Sequence, residues 1–231
     1  MENQLFSGIH SIAPKVRLFS LFGAICLTCL VCLSPSPLLA ATLSVQVTDS
    51  LGAPLEDVVV YAEPVSGEKL PKSVRAVEIA QKHRQFVPLV TVVQAGTEIS
   101  FPNLDTVKHH VYSFSPTKYF DLPLYSGMAA KPQLFDLPGT VVLGCNIHDK
   151  MVAYVQVVNT PYFAKTDATG KVKLNGIIPG KYQLKAWHFM LPPLAQVVTQ
   201  PINIVGDENT ASFKLNVKQA KPATEDSTPI P

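Results

Sequence analysis

The sequence is poor in cysteine and tryptophan, and it has no extended helical periodicity. Four cysteines and one tryptophan occur in 231 residues. Cys26, Cys29 and Cys32 fall inside an apolar N-terminal run, which leaves Cys145 alone in the rest of the chain. One cysteine there excludes a disulfide framework. Charge of one sign is also scarce: 19 Lys and Arg against 17 Asp and Glu give a formal net charge of +2, so no nucleic-acid partner is expected. No long stretch repeats apolar residues at helical spacing. The 20 prolines, with many Val, Thr, Ile, Tyr and Phe residues, favour strands and turns, and an all-β architecture is the expectation. No nucleophile with its base and no acid/base pair is visible, so an enzyme is not expected.

What is present begins with Lys15 and Arg17 ahead of the uncharged run from Leu18 to Leu33. That run is shorter than the roughly 20 apolar residues needed to cross a bilayer. Ala40 and Ala41 are small residues suited to a signal peptidase, so 1–41 reads as an export signal with no membrane span after cleavage. Ile25, Thr28 and Val31 precede the three N-terminal cysteines where a lipobox needs a small residue. An exported chain meets an oxidising compartment, and a lone Cys145 there calls for an explanation. Ligation of a soft metal by its thiolate supplies one.

Leu43 to Val47 alternates as a half-buried strand, and Asp49-Ser50-Leu51-Gly52 predicts a hairpin turn toward Val58 to Tyr61. Glu63 to Lys72 reads as a connection. Short strands are then expected at Leu89 to Val93, Glu98 to Phe101, Val111 to Phe114, Thr140 to Leu143 and Val152 to Val158. Five prolines and glycines in 115–138 predict mostly loop there. After Asn159, turns such as Asp167-Ala168-Thr169-Gly170 and Ile178-Pro179-Gly180 alternate with strands. The polar, proline-bearing tail 218–231 is expected to be disordered.

Three segments carry the chemistry. Asn103 to Val111 places His109 and His110 at the start of a strand. Phe135 to Cys145 runs a strand into the cysteine. Cys145-Asn146-Ile147-His148-Asp149-Lys150-Met151 then supplies C-x2-H-x2-M on one short loop. A type-1 copper site takes two imidazoles and one thiolate in a plane, with a weak thioether on the axis. Cys145, His148 and Met151 fit three of those places, and a histidine from the distant strand must supply the fourth. Strand alternation sends His109 and His110 to opposite faces, so one or the other is the ligand. Each residue also has a plainer reading: Cys145 as a small buried hydrophobe, His148 as a solvated loop residue, Met151 as core. His83 and His188 read as surface or structural histidines and Trp187 as core.

These residues resemble the cupredoxins, and the C-x2-H-x2-M loop resembles the short ligand loop of amicyanin. That spacing implies His109 as the second imidazole and gives His110 a position from which a hydrogen bond can tie the ligand loops together. A longer resemblance is to periplasmic proteins labelled as methylamine-utilisation proteins, carried by His109-His110-Val111-Tyr112-Ser113-Phe114-Ser115, Leu143 to Asp149 and Thr160-Pro161-Tyr162-Phe163-Ala164. Lys150 departs from that group, where Trp is usual, and puts partner identity in doubt. The segments 42–63 and 159–217 resemble a carboxypeptidase regulatory-like, or transthyretin-like, sandwich. The implied organisation is a Greek-key cupredoxin sandwich at 74–158 inserted in a smaller, split β-sandwich.

The resemblance implies a periplasmic protein with one type-1 copper held by His109, Cys145, His148 and Met151. It would transfer single electrons at an exposed His148 edge beside Ile147 to or from a c-type cytochrome or a periplasmic dehydrogenase. Two other readings stand beside it: a copper storage or delivery protein, and an interaction module with a structural copper.

Overall fold

A computed structural model describes residues 40–217 apart from Lys69, Ala129, Ala130 and 193–196. The expected signal, except Ala40 and Ala41, and the expected disordered tail lie outside the described residues. Among these residues there are seventeen strands and no helix. In chain order they are β1 (Ala41–Thr48), β2 (Val59–Pro64), β3 (Val77–Glu78), β4 (Ala80–Lys82), β5 (Gln85–Val87) and β6 (Val90–Gln94). Next come β7 (Thr97–Ser100), β8 (His109–Ser115), β9 (Lys118–Tyr125), β10 (Gln133–Phe135), β11 (Gly139–Gly144) and β12 (Val152–Val158). The last five are β13 (Phe163–Lys165), β14 (Lys171–Ile177), β15 (Gly180–Trp187), β16 (Val198–Ile204) and β17 (Glu208–Lys214).

The strands form two face-to-face sheet pairs, an all-β sandwich architecture. In the first pair, the sheet β14-β1-β17 faces the sheet β13-β2-β15-β16. Leu43, Val45 and Val47 alternate inward from β1 and meet Val60 of β2 and Leu184 and Ala186 of β15 in one core. In the second pair, the five-stranded sheet β6-β12-β11-β8-β9 faces β10-β7-β3, with the small β4-β5 hairpin beside them. Its core joins Val111, Val141, Leu143 and Val155 to Ile99 and Phe135. The strands β3 to β12 lie in sequence between β2 and β13 of the first pair.

Two expectations are corrected. β1 and β2 are not a hairpin: β1 pairs with β14 and β17, whereas β2 pairs with β13 and β15. The link between them is longer than a hairpin loop of two to five residues. Asp49 Oδ1 accepts the Leu51 and Ala53 N–H groups at 2.8 Å to start the turn, and Leu55 is buried, so the chain crosses from one layer to the other. Segment 115–138 is not mostly loop, because β9 runs eight residues through it despite Pro123. β9 is the edge strand of its sheet, and an edge tolerates a proline that cannot donate to the ladder.

The two sheet pairs also meet each other. Val59, Tyr61 and Trp187 of the first pair cluster with Val90 and Val158 of the second. β2 and β12 therefore bury both faces, which is why Val58 to Ala62 is a continuous apolar run and Val152 to Val158 is apolar but for the buried Gln156.

Candidate metal centre

β8 begins at His109, and its first two residues diverge. His109 is fully buried toward the core side. His110 sits on the other face, where Nε2 meets Asp121 Oδ1 at 2.7 Å and its ring lies 5.4 Å from that of Tyr112. The bond expected to tie the ligand loops through His110 thus goes to β9 instead, because alternation turns that side chain away. Among the described residues, the buried Nδ1 atom of His110 has no hydrogen-bond partner.

The loop Cys145 to Met151 joins β11 to β12, whose pairing runs out to Gly144 opposite Val152. Met151 N–H donates to the His148 carbonyl at 2.8 Å, closing the turn. That tight closure brings the cysteine and histidine side chains to the same end of the sandwich as His109. The Nδ1 atoms of His109 and His148 are 3.2 Å apart, and Cys145 Sγ is 3.8 Å from His148 Nδ1. All three donor atoms lie within 4.8 Å of one another. Met151 is buried in the same core cluster as Cys145 and lines the same surface cavity. His148 is half-buried and Ile147 beside it is exposed.

A carboxylate that the sequence reading did not single out organises the buried histidine. Asp105 Oδ2 accepts from His109 Nε2 at 2.7 Å. The same carboxylate accepts the backbone N–H groups of His83 at 2.7 Å and Arg84 at 2.9 Å, which form the turn between β4 and β5. Both turn residues have positive φ, 55° and 58°, which aims their amides at the carboxylate. Asn103 holds the loop from beneath: its Oδ1 accepts the Asp105 N–H, and its Nδ2 donates to the carbonyls of Val107 and Tyr125. The Arg84 N–H, and then the His109 ring and the His83 N–H, outweigh burial and hold the Asp105 carboxyl down at about 2. A permanently ionised acceptor fixes the proton of His109 on Nε2, leaving Nδ1 as a lone-pair donor facing His148 and Cys145. An Asp four residues before a His at a strand start was the available sequence signal.

Tyr125, which pairs with His109 across β8 and β9, donates its hydroxyl to the Phe101 carbonyl at 2.5 Å and accepts from Gln81 Nε2. Burial lifts its phenol to about 12, so it stays neutral beside the thiol.

The donor set fits a metal. Bonds of about 2.0 Å to imidazole and 2.3 Å to thiolate, the zinc values, let one ion reach donors up to about 4.0 Å and 4.3 Å apart. The observed separations of 3.2 Å and 3.8 Å are inside those limits.

Fold and site together define a class: an all-β sandwich protein with a His-Cys-His group in which His109 and Cys145 are buried and His148 half-buried. No protein-family model and no curated protein matches the sequence. Among solved structures, the chain is similar to a purple cupredoxin from Nitrosopumilus maritimus, at 22% identity over 36% of this chain and 100% of that one, with a TM-score of 0.32. It is also similar to the reduced Cu(I) form of the P52G mutant of amicyanin, at 14% identity over 45% of this chain and 100% of that one, TM-score 0.33. A third is a copper-containing nitrite reductase from Thermus scotoductus SA-01, 18% identical over 49% of this chain but only 28% of that one, TM-score 0.35.

Proposed function

We propose that this protein holds a single copper through His109, Cys145 and His148, with Met151 as a weak fourth ligand, and carries single electrons. The observation that carries the reading is the facing pair of Nδ1 atoms beside the Cys145 thiol, with the opposite nitrogen of His109 engaged by Asp105. A copper ion bound there would supply a one-electron couple.

The chain's own residues do the rest. Asp105 fixes the tautomer and the ring plane of His109. The β11–β12 turn fixes Cys145 and His148 relative to each other. Cys145 is buried among Val111, Leu143 and Phe135, and a close-packed core resists its rearrangement between oxidation states. Soft sulfur donors with imidazole favour copper over harder cations. His148, half-buried with Ile147 exposed beside it, is the edge at which a c-type cytochrome or a periplasmic dehydrogenase would approach. On this reading the chain is exported to the periplasm and is not an enzyme. Residues 74–158 form the copper unit, and 42–63 with 159–217 form a regulatory-like sandwich that it interrupts.

Titration of the purified protein with Cu(II), followed by visible absorption, tests this. One equivalent should give an intense thiolate-to-copper band that bleaches with ascorbate and returns with oxidant. Cys145→Ser should lose the band. A protein that takes only Cu(I) and yields it to a mild chelator would favour delivery, and colourless binding of zinc in preference to copper would overturn the reading.

A further inference from the structure

Of the chain's asparagines, Asn175 alone precedes a glycine. The pair lies in β14, an edge strand, at the place where its ladder to β1 slips. Leu43 faces Leu174 and Ala41 faces Ile177, so Asn175 and Gly176 together oppose Thr42. Two residues against one make a β-bulge, which interrupts the regular ladder. Gly176 has φ of +77°, a conformation glycine adopts without strain, and a Cβ there would meet nothing within 4 Å. Asn175 is exposed on the outer face with Lys171 and Lys173. Thr42 Oγ1 donates to Asn175 Oδ1 at 3.3 Å. The conditions for intramolecular imide formation meet here. A following residue without a side chain lets its backbone nitrogen approach the asparagine side-chain carbon. The bulge relaxes the ladder that would hold the backbone extended. A hydroxyl already on Oδ1 is placed to stabilise the negative charge that gathers on that oxygen as the nitrogen attacks.

We propose that Asn175-Gly176 is a self-modifying site, where deamidation assisted by the Thr42 hydroxyl turns Asn175 into an acid and loosens the start of β1. A base in solvent takes the Gly176 N–H proton as the nitrogen bonds to Asn175 Cγ. The Cγ–Nδ2 bond then breaks and ammonia leaves. Solvent water opens the resulting imide at either carbonyl, so one water is consumed for each ammonia released, and nothing is oxidised or reduced. Opening at the side-chain carbonyl leaves aspartate. Opening at the main-chain carbonyl leaves isoaspartate, which adds a methylene to the backbone between Leu174 and Ile177. That methylene falls opposite Ala41 and Thr42, and Ala41 is fully buried at the start of the central strand β1. The ladder from Ala41 to Ile177 must then shift. Thr42, Asn175 and Gly176 belong to the first sheet pair, so the proposal does not depend on the copper reading.

The test incubates the purified protein in mildly alkaline buffer and samples it for peptide mapping by mass spectrometry, with isoaspartate counted by enzymatic methylation. Position 175 should gain acid before any other asparagine, with ammonia released in step and a rate that climbs with pH. Asn175→Gln should hold its amide over the same time. Thr42→Val, which keeps the side-chain shape without the hydroxyl, should slow conversion severalfold, and Thr42→Ser should restore it. The isoaspartate form should unfold at lower urea than the unconverted protein. Asn175→Asp, which supplies the charge without the extra methylene, should unfold at higher urea than that form. An amide that persists at 175 while another asparagine converts overturns the site. Equal rates in Thr42→Val and the unsubstituted protein overturn the assistance by Thr42, and an unchanged urea midpoint in the isoaspartate form overturns the loosening of β1.

Discussion

Asp105 is the single residue on which most of the site geometry converges, since it accepts from His109 and from two backbone amides of another hairpin. Removing it strands three donors, of which the buried His109 nitrogen has no access to water. Asp105→Ala is therefore expected to cost about 1–3 kcal/mol of stability, read by urea denaturation of the metal-free protein. It should also weaken metal affinity about 10–100-fold, the usual effect of losing a carboxylate behind a ligating histidine, read by chelator competition. Unchanged affinity would mean that packing alone orients the ring. Cys145 and His148 were legible as candidate donors because three residue types fall on one short loop, and the structure brings them together with His109. Alternation sends His109 and His110 to opposite faces, but only the resemblance favoured His109 until the fold turned it toward His148 and His110 toward Asp121.

At the level of elements, the β4–β5 hairpin supports the site at a local cost. Its two-residue turn, His83-Arg84, needs positive φ twice, a geometry that suits Asn-Gly and strains ordinary side chains. The double change His83→Asn with Arg84→Gly keeps both N–H groups on Asp105 and should raise stability by about 1 kcal/mol in thermal or urea melts. A loss of stability would show that the side chains contribute more than their backbone strain costs. Gly170 presents the opposite case. It has φ of +70°, and a Cβ there would lie 2.4 Å from the Val47 carbonyl oxygen, so Gly170→Ala should destabilise the turn before β14 by about 1–3 kcal/mol. Most strands were legible from alternation and turn residues. β9 was not, because the prolines in 115–138 argue for loop unless the strand is known to be an edge.

At the largest scale, the two sheet pairs are joined by the cluster around Trp187, the chain's one tryptophan and a buried side chain. Its fluorescence reports on that junction. On the copper reading, the Trp187 emission shift and the loss of the visible copper band in urea should coincide, because each sheet pair buries part of the other's outer face. Two separated transitions would show independent units. His188 follows Trp187 and is buried, with Nδ1 accepting the Met190 N–H at 3.2 Å. Burial lowers its pKa, against the opposing effects of the Asp57 charge and the Glu56 backbone. The unfolded chain therefore binds the proton more readily than the folded one. The stability associated with a neutral His188 is full above about pH 6.5 and is lost as pH falls toward the lower folded value. His188→Gln should flatten that part of the stability profile, measured by urea midpoints between pH 5 and 7.5.

Sequence by itself determined the all-β class and the candidate donor loop, because strand alternation and the C-x2-H-x2-M spacing are local properties. Tertiary structure decided which sheet each strand joins, which neighbouring histidine meets the cysteine, and that Asp105 stands behind it. Those outcomes depend on backbones distant in sequence, the β4–β5 turn above all, and on two strands burying both faces. No local pattern encodes either.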